Sequence, residues 1–474
     1  MMENMPSLTD KEIESVVDML QDGDIPGVNE RRTMLYIDLR ILPLLALIYA
    51  FALIDRLNLG SARIAGMGAD LQLTVSDRYS IASSLYFVPY ILLQIPGNVF
   101  LRAVGARNLI TFIVIGWGGV QTGMAFVPNW RLLTLCRVLL GALEAPFFPA
   151  LVYIISTWYK RHELQKRLAA FFMLSITASA FSAVLAYGLS LLGGKSGLAG
   201  WSWIFFIEGL ITIGLGIIGY FLIPDFPDRN TFLSAAQTRF ILKRIEEDRG
   251  DHVPDKITTK KVLYHLSDWT LWVYGIMSTC AAIPTYMLAY FTPVILRSMG
   301  YSTTHSMLLS APPYGSAFVS AMTFAWLADR TKHRSGYIVI QAIMTLIGTC
   351  MTAFAVQNSV RYAGTFFISA GSAGCIPTIL TYNANNVASQ SKRAVSSALV
   401  VAWGGIGGIV ASTAFREKDA PKYIPGLWVT VAAQILMILL AVITMLYLRR
   451  MNRLSREGKL SEPLEGKPGF YYTL

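Results

Sequence analysis

Charge is scarce in this sequence. Only 15% of its 474 residues are charged, against about 25% in an ordinary soluble domain, while 54% are hydrophobic. A soluble chain of this length could not hide so much apolar surface. Cysteine is sparse too: Cys136, Cys280, Cys350 and Cys375 all fall inside apolar windows without close spacing, which argues against a disulfide framework or a zinc site and leaves them as packing residues. No G-x-x-x-x-G-K-[ST] phosphate loop is present, so ATP-driven transport has no support. Neither a metal-ligand cluster nor a nucleophile elbow appears, and a membrane enzyme is disfavoured for want of a catalytic constellation. No cofactor and no metal are expected.

The opening segment lacks the apolar h-region and small-residue cleavage site of a secretory signal and carries an acidic run from Asp10 to Asp24, so it is expected to stay cytoplasmic. The net charge of +11 could suggest nucleic acid, but the basic residues punctuate the ends of apolar windows instead of clustering on one face. Their placement is topological.

What the sequence has is long apolar runs. Windows of about 20 residues, the length that a bilayer demands, recur from Leu39 almost to the last residues. They predict helices over 38–60, 79–100, 108–127, 131–156, 168–192, 202–223, 269–296, 305–328, 336–356, 362–383, 394–414 and 425–448. The expected fold is all-α and integral to the membrane, with twelve spans in two six-helix halves. The chain divides into a tail over 1–37, one bundle over 38–223, a linker over 224–268, a second bundle over 269–448 and a tail over 449–474. Basic turns follow the even helices, with Arg102 and Arg107, Lys160 to Arg167, Arg330 to Arg334, then Lys392 and Arg393. The positive-inside rule makes these turns, the linker and both termini cytoplasmic. One opposing loop is also basic, with Arg416, Lys418 and Lys422. The halves echo each other weakly: Pro149 in the fourth helix is matched by Pro377 in the tenth, as parallel repeats around a central cavity would be.

Ionisable residues inside such spans are costly, at least about 2.5–3.5 kcal/mol each, and mark function by default. The candidates are Asp55 and Arg56 in the first span, Arg137 and Glu144 in the fourth, and Glu208 in the sixth. From Trp269 to Arg416 the sole carboxylate is Asp329, at a helix end, so any proton-coupling site belongs to the N-terminal half. Arg137 and Glu144 are seven residues apart, which returns them to nearly one helix face, roughly 10 Å apart. Arg56 and Arg137 lie at similar expected depth and suggest an anion clamp, because the guanidinium fork pairs bidentately with carboxylate and keeps its charge. The alternative is that these groups only neutralise one another. Glu208, near the outer end, could equally serve packing or meet water. Tyr86 and Tyr90 sit one turn apart, as do Tyr286 and Tyr290. Tyr90 and Tyr286 are the substrate-contact candidates, with packed or interfacial rings as the alternative. Asn383, Asn385 and Asn386 suggest caps or gate contacts, and the run Gly404, Gly405, Gly407, Gly408 suggests close helix approach.

Several segments, in order, carry a resemblance: LIDRLNLGSA in the first helix, QIPGN in the second, RVLLGALEAPFFPA in the fourth and TWYKRHELQKR after it. FFIEG and LIPDFPD follow in the sixth, then YNANNVASQSKRAVSSAL and DAPKYIPG. From about Leu39 to Arg450 the sequence resembles the anion:cation symporter family of the major facilitator superfamily, in particular its fungal allantoate permease branch. The resemblance implies a secondary symporter for small organic anions such as allantoate, ureidosuccinate, pantothenate, nicotinate, biotin or short peptides. It implies Arg56 and Arg137 as anion-binding residues and Asp55 and Glu144 as proton carriers. Tyr90, before QIPG, resembles a substrate-contacting tyrosine of related sugar-acid transporters. Two departures stand out: Gly405 occupies a position where relatives usually have asparagine, and Asn98 one where glycine is common.

The resulting expectation is a proton-coupled importer of a small organic carboxylate working by alternating access, a functional monomer in the plasma membrane with no nucleic-acid partner. A proton antiporter exporting a metabolite and a sensor that binds solute without moving it are the alternatives.

Overall fold

The computed structural model describes residues 29–159, 167, 171, 181–249, 259–331, 333–416, 419, 423–460, 462–467 and 469–474. Among them there is no β-strand. The first span is Glu30–Ala62, the second Arg78–Ser84 with Phe87–Val104, the third Ala106–Met124, and the fourth Trp130–Glu144 with Phe147–Trp158. The fifth, expected over 168–192, lies mostly outside the described residues and is seen as Ser182–Ser190. The sixth is Gly200–Leu222, followed by linker helices Ala235–Arg249 and Thr259–Leu266. The second half comprises Trp269–Ser298, Thr303–Leu308 with Pro312–Thr331, Ser335–Phe354, Asn358–Ala373 with Cys375–Asn385, Gln390–Ala414 and Ile424–Arg456. The architecture is the all-α, twelve-span arrangement in two six-helix halves, and eight of the described helices are long and apolar enough to cross a membrane unaided.

Proline accompanies three of the interruptions. Pro89, Pro149 and Pro377 lack the amide that would bond to Leu85, Ala145 and Ala373, and the second, fourth and tenth spans break at or beside those carbonyls, whereas Pro43, Pro284 and Pro293 sit within continuous helices. Irregular backbone of this kind is tolerated within a membrane if it is buried in protein or faces a cavity. The outer surface is apolar: Leu92, Phe112, Phe221, Val319 and Leu439 stand exposed, as a lipid-facing surface requires. Cys350 shares this exposed surface and Cys136 is half-buried, so only Cys280 and Cys375 are the buried packing residues that the apolar windows suggest.

Core packing separates the two ends of the bundle. At the end carrying the basic turns each half has its own core, one around Ile41, Ile113 and Ile154, the other around Met277, Ile338 and Met437. At the opposite end a single core crosses between the halves, joining Tyr86 and Phe87 to Met287, Tyr290, Phe291 and Phe415. There Tyr79 Oη donates to Tyr290 O at 3.2 Å, and Phe291 meets both Tyr79 and Phe415. Glycine makes the closure possible. A Cβ at Gly60 would stand 2.6 Å from Tyr290 O, and one at Gly408 would strike the Phe87 ring. The halves are closed at one end and separate at the other.

The expected tail over 449–474 is not a free tail. The twelfth helix continues to Arg456, and the last residues fold back onto the second half. Asn452 and Tyr472 exchange two hydrogen bonds of 2.8 Å, and Asn386 accepts from Thr473 N at 2.7 Å. Asn386, expected in a cap or gate contact, anchors the tail. Lys392 bridges Asp268 at 2.7 Å and Glu465 at 2.6 Å. Burial pushes the Asp268 carboxyl up, but bonds from Lys392 and Thr270 outweigh it and hold the group below its ordinary value. Burial pushes Lys392 down, and its two carboxylates outweigh that and raise it.

Candidate functional site

A cavity of about 270 Å³ lies between the halves. From the first half it is lined by Arg56, Tyr49, Tyr90 and Phe148, and from the second by Tyr286, Tyr314 and a row of serines. Its sole charged lining group is Arg56. The first span reaches this position as one unbroken helix, and the Gly60 contact presses it onto the seventh span, so Arg56 is carried on a rigid element facing the other half.

Arg56 does not turn to its neighbour Asp55. Its Nε donates to Glu144 Oε2 at 2.8 Å, and its Nη2 lies 2.7 Å from the same oxygen. Tyr86 Oη donates to that oxygen as well, at 2.6 Å. The Arg56 guanidinium lies 4.8 Å from the centre of the Tyr90 ring, and that ring stacks on Tyr86. Contact between the fourth and second spans is tight because Gly141 has no side chain: a Cβ there would strike the Tyr86 carbonyl.

Arg137 sits behind this pair. Its guanidinium packs 4.9 Å from the Tyr86 ring centre, is 0% exposed, has the Tyr290 hydroxyl as a hydrogen-bonding neighbour, and pairs with no carboxylate among the described residues. A buried charge without a counter-ion costs several kcal/mol. Arg56 and Arg137 thus flank one ring, Tyr86, but Arg56 faces the cavity and Arg137 does not line it. The two are brought together without forming an open two-armed clamp.

Asp55 and Glu208 belong to a second cluster on the far face of the first span. Asn58 Nδ2 donates to Glu208 Oε2, and the buried Asp55 carboxyl faces the Trp117 indole N–H and the Thr212 hydroxyl, with no cation paired to either acid among the described residues. Glu208 is 0% exposed, so the structure does not place it in water at the outer end. The cluster is walled by Trp117 of the third span and Thr212 of the sixth, which pack closely through Gly118 and Gly209.

Of the sequence candidates, Arg56, Tyr90 and Tyr286 line the cavity, Glu144 binds Arg56, and Asp55 lies apart. Sequence reasoning did not single out Asn58, though its position three residues after Asp55 places both on one helix face. It ranked Tyr86 below Tyr90, and no sequence signal says that the Tyr86 hydroxyl meets Glu144. Ser278, Ser369 and Ser372, which give the opposite wall its polarity, were missed because single serines inside apolar spans carry no pattern. Gly405 also lines the cavity, and a Cβ there would stand 2.7 Å from Ile91, so a bulkier side chain does not fit this closed arrangement. Among the described residues no group of side chains could hold a metal ion.

Comparison with known proteins accords with this geometry. The Major Facilitator Superfamily model matches residues 45–412. An uncharacterized transporter of Schizosaccharomyces pombe is 32% identical over 433 residues, covering 90% of this chain and 84% of that protein. The high-affinity nicotinic acid transporter of Saccharomyces cerevisiae is 27% identical over 457 residues, covering 94% and 84%. In fold, the chain is similar to the inward-facing, unoccupied structure of a bacterial homolog of the human lysosomal transporter Spinster, with a TM-score of 0.66 at 16% identity, covering 85% and 95%. The family match over most of the chain, the transporter relatives and the twelve-span architecture agree: this is a membrane transporter, not an enzyme, and it belongs to the Major Facilitator Superfamily.

Proposed function

We propose that the protein is a proton-coupled symporter of a small organic anion. The observation that carries this reading is the Arg56–Glu144 pair on the cavity wall, 2.7 Å across, with Arg137 buried behind it and paired with no carboxylate among the described residues. Arg56 is the cavity's cation, and Glu144 occupies it. A proton on Glu144 removes that competitor, and a substrate carboxylate then takes the guanidinium fork with a geometry that a lysine could not offer. Loss of the anion returns Arg56 to Glu144 and expels the proton. Anion and proton are thus bound together or not at all, which is the condition for symport. Tyr90 and Tyr286 hold the body of the substrate from opposite halves. Asp55 takes part in coupling from its separate buried position.

With the basic turns cytoplasmic, the closed end faces outward and the cavity belongs to an inward-open state of alternating access. The similarity to a nicotinic acid transporter and the sequence segments described above support the allantoate permease branch of the anion:cation symporters and a plasma-membrane address for a functional monomer. The test is uptake by purified protein in liposomes, with and without an inward pH gradient, across labelled allantoate, nicotinate, pantothenate, ureido acids and dipeptides. Gradient-driven accumulation of one of these carboxylates is expected; indifference to the gradient for every substrate that is transported would overturn the coupling. Tags on both termini and on the 224–268 linker should be inaccessible from outside intact cells.

A further inference from the structure

The twelfth span leaves its apolar stretch and continues as a basic helix carrying Arg449, Arg450, Arg453 and Arg456. Between these turns and the folded-back tail lies a groove of about 510 Å³, with Asn452 in its wall and Leu474 on its far side. Its charged side chains are all of one sign. Glu457 is the nearby acid, and it is already held by Arg453 at 2.8 Å and by Lys459 at 2.7 Å. Among the described residues Arg449, Arg450 and Arg456 pair with no carboxylate.

The groove is braced from behind. Arg456 lies 5.4 Å from the Tyr471 ring centre, and the two bonds between Asn452 and Tyr472 fix the tail that forms the opposite wall. Orienting a span needs basic residues near its end, and balancing a helix dipole needs them in its last turn. Neither requirement calls for a walled pocket. On the membrane side the groove continues into an exposed apolar stripe: Leu439, Ile443 and Leu446 are each about half-exposed and follow one another at helical spacing, with Arg450 next on the same face. Arginines at the head of an apolar track match a ligand with an anionic head and a hydrocarbon body.

We infer that this groove is a headgroup site for an anionic phospholipid, whose acyl chains run along Leu439, Ile443 and Leu446. The phosphate takes the unpaired guanidiniums bidentately, and the site sits at the depth where headgroups lie. It is separate from the transport cavity and stands whether or not the substrate is an anion.

The test uses the full chain in detergent, with phosphatidylinositol, phosphatidylcholine and soluble inositol phosphate as probes and native mass spectrometry for retained lipid. Phosphatidylinositol should be retained over phosphatidylcholine and released by raised salt. Since each basic residue contributes about fivefold at an anionic surface, R449Q/R450Q/R456Q should weaken retention roughly a hundredfold. I443S/L446S should weaken lipid retention while leaving any binding of inositol phosphate unchanged. The salt arm needs no variant and keeps the test decisive if a substitution impairs folding. Equal retention of both lipids, insensitive to salt, would overturn the proposal. So would inositol phosphate binding as tightly as the lipid with I443S/L446S without effect, which would make the ligand a soluble phosphate.

Discussion

The two halves share an architecture and divide the chemistry between them. The first half buries Asp55, Arg56, Arg137, Glu144 and Glu208 within its spans, each at most 7% exposed. The second buries neutral groups at comparable depth: Ser278, Gln341, Thr345, Ser369 and Gln434. Gln434 Nε2 donates to Cys280 O at 2.9 Å, and Thr345 Oγ1 to the Gln341 backbone carbonyl at 3.0 Å, while the Gln341 side-chain amide and Gln434 Oε1 find no partner among the described residues. The difference between the halves is one of charge: the imperfectly paired groups of the second are neutral amides, whereas those of the first include the ionisable Arg137 and Asp55. A moving half that is electrically neutral can close over a site without dragging buried charge through a low-dielectric region, where each ion costs several kcal/mol. On the proposed reading, the asymmetry assigns coupling to the first half and leaves shape and hydrogen bonding to the second.

Five substitutions probe that division. The largest effect is expected from Glu144→Gln, which keeps size but cannot ionise. Accumulation driven by a pH gradient should vanish while substrate exchange at equal pH survives, read as proteoliposome uptake in the two regimes. A variant that still concentrates substrate would move the proton to Asp55 or Glu208. Next come Arg56→Lys and Arg137→Lys, each expected to weaken substrate binding tenfold or more because an ammonium lacks the planar fork. Unchanged affinity in both, measured by titration of the purified protein, would make the arginines structural.

Gly60→Ala tests the closed end. Its Cβ would meet a backbone carbonyl, which cannot step aside, and overpacking of this kind typically costs about 1–3 kcal/mol. The population should shift roughly tenfold or more toward opening at that end, seen as a longer distance between spin labels on the second and eleventh spans. No change would mean that the closure tolerates a methyl group.

The smallest effect belongs to Lys392→Gln in the second half, which removes the bridge to Glu465 of the tail together with the bridge to Asp268 at the start of the seventh span. Asp268 is held below its ordinary value, so its contribution is present above about pH 4 and is lost as pH falls through the lowered value. Lys392 is raised, so its contribution is present below about pH 10 and is lost as pH rises through the raised value. The tail should stay docked in wild type across the window between. In the variant, limited proteolysis after Lys459 should quicken at neutral pH, with a stability loss of about 1–3 kcal/mol at most. Equal cleavage in both proteins would show that the backbone exchanges at Asn452 and Asn386 suffice.

The sequence by itself determined the spans, because a run of about 20 apolar residues has one stable setting in a bilayer. It also determined which side chains could be functional, because charges are so costly there that Asp55, Arg56, Arg137 and Glu144 stand out without a structure. The breaks in the second, fourth and tenth spans were implicit in Pro89, Pro149 and Pro377, although the windows read as continuous helices. Pairing was decided by tertiary structure. Arg56 is adjacent to Asp55 in the chain yet bonds to Glu144, because successive residues on a helix point about 100° apart and face different neighbours. The same rotation turns Asp55 toward Trp117 and Asn58 toward Glu208, and no local pattern encodes which helix stands on each side. The fold-back of the last residues likewise depends on Asn386, Lys392 and Asn452 meeting partners up to 87 residues away, a register that only the packed bundle creates.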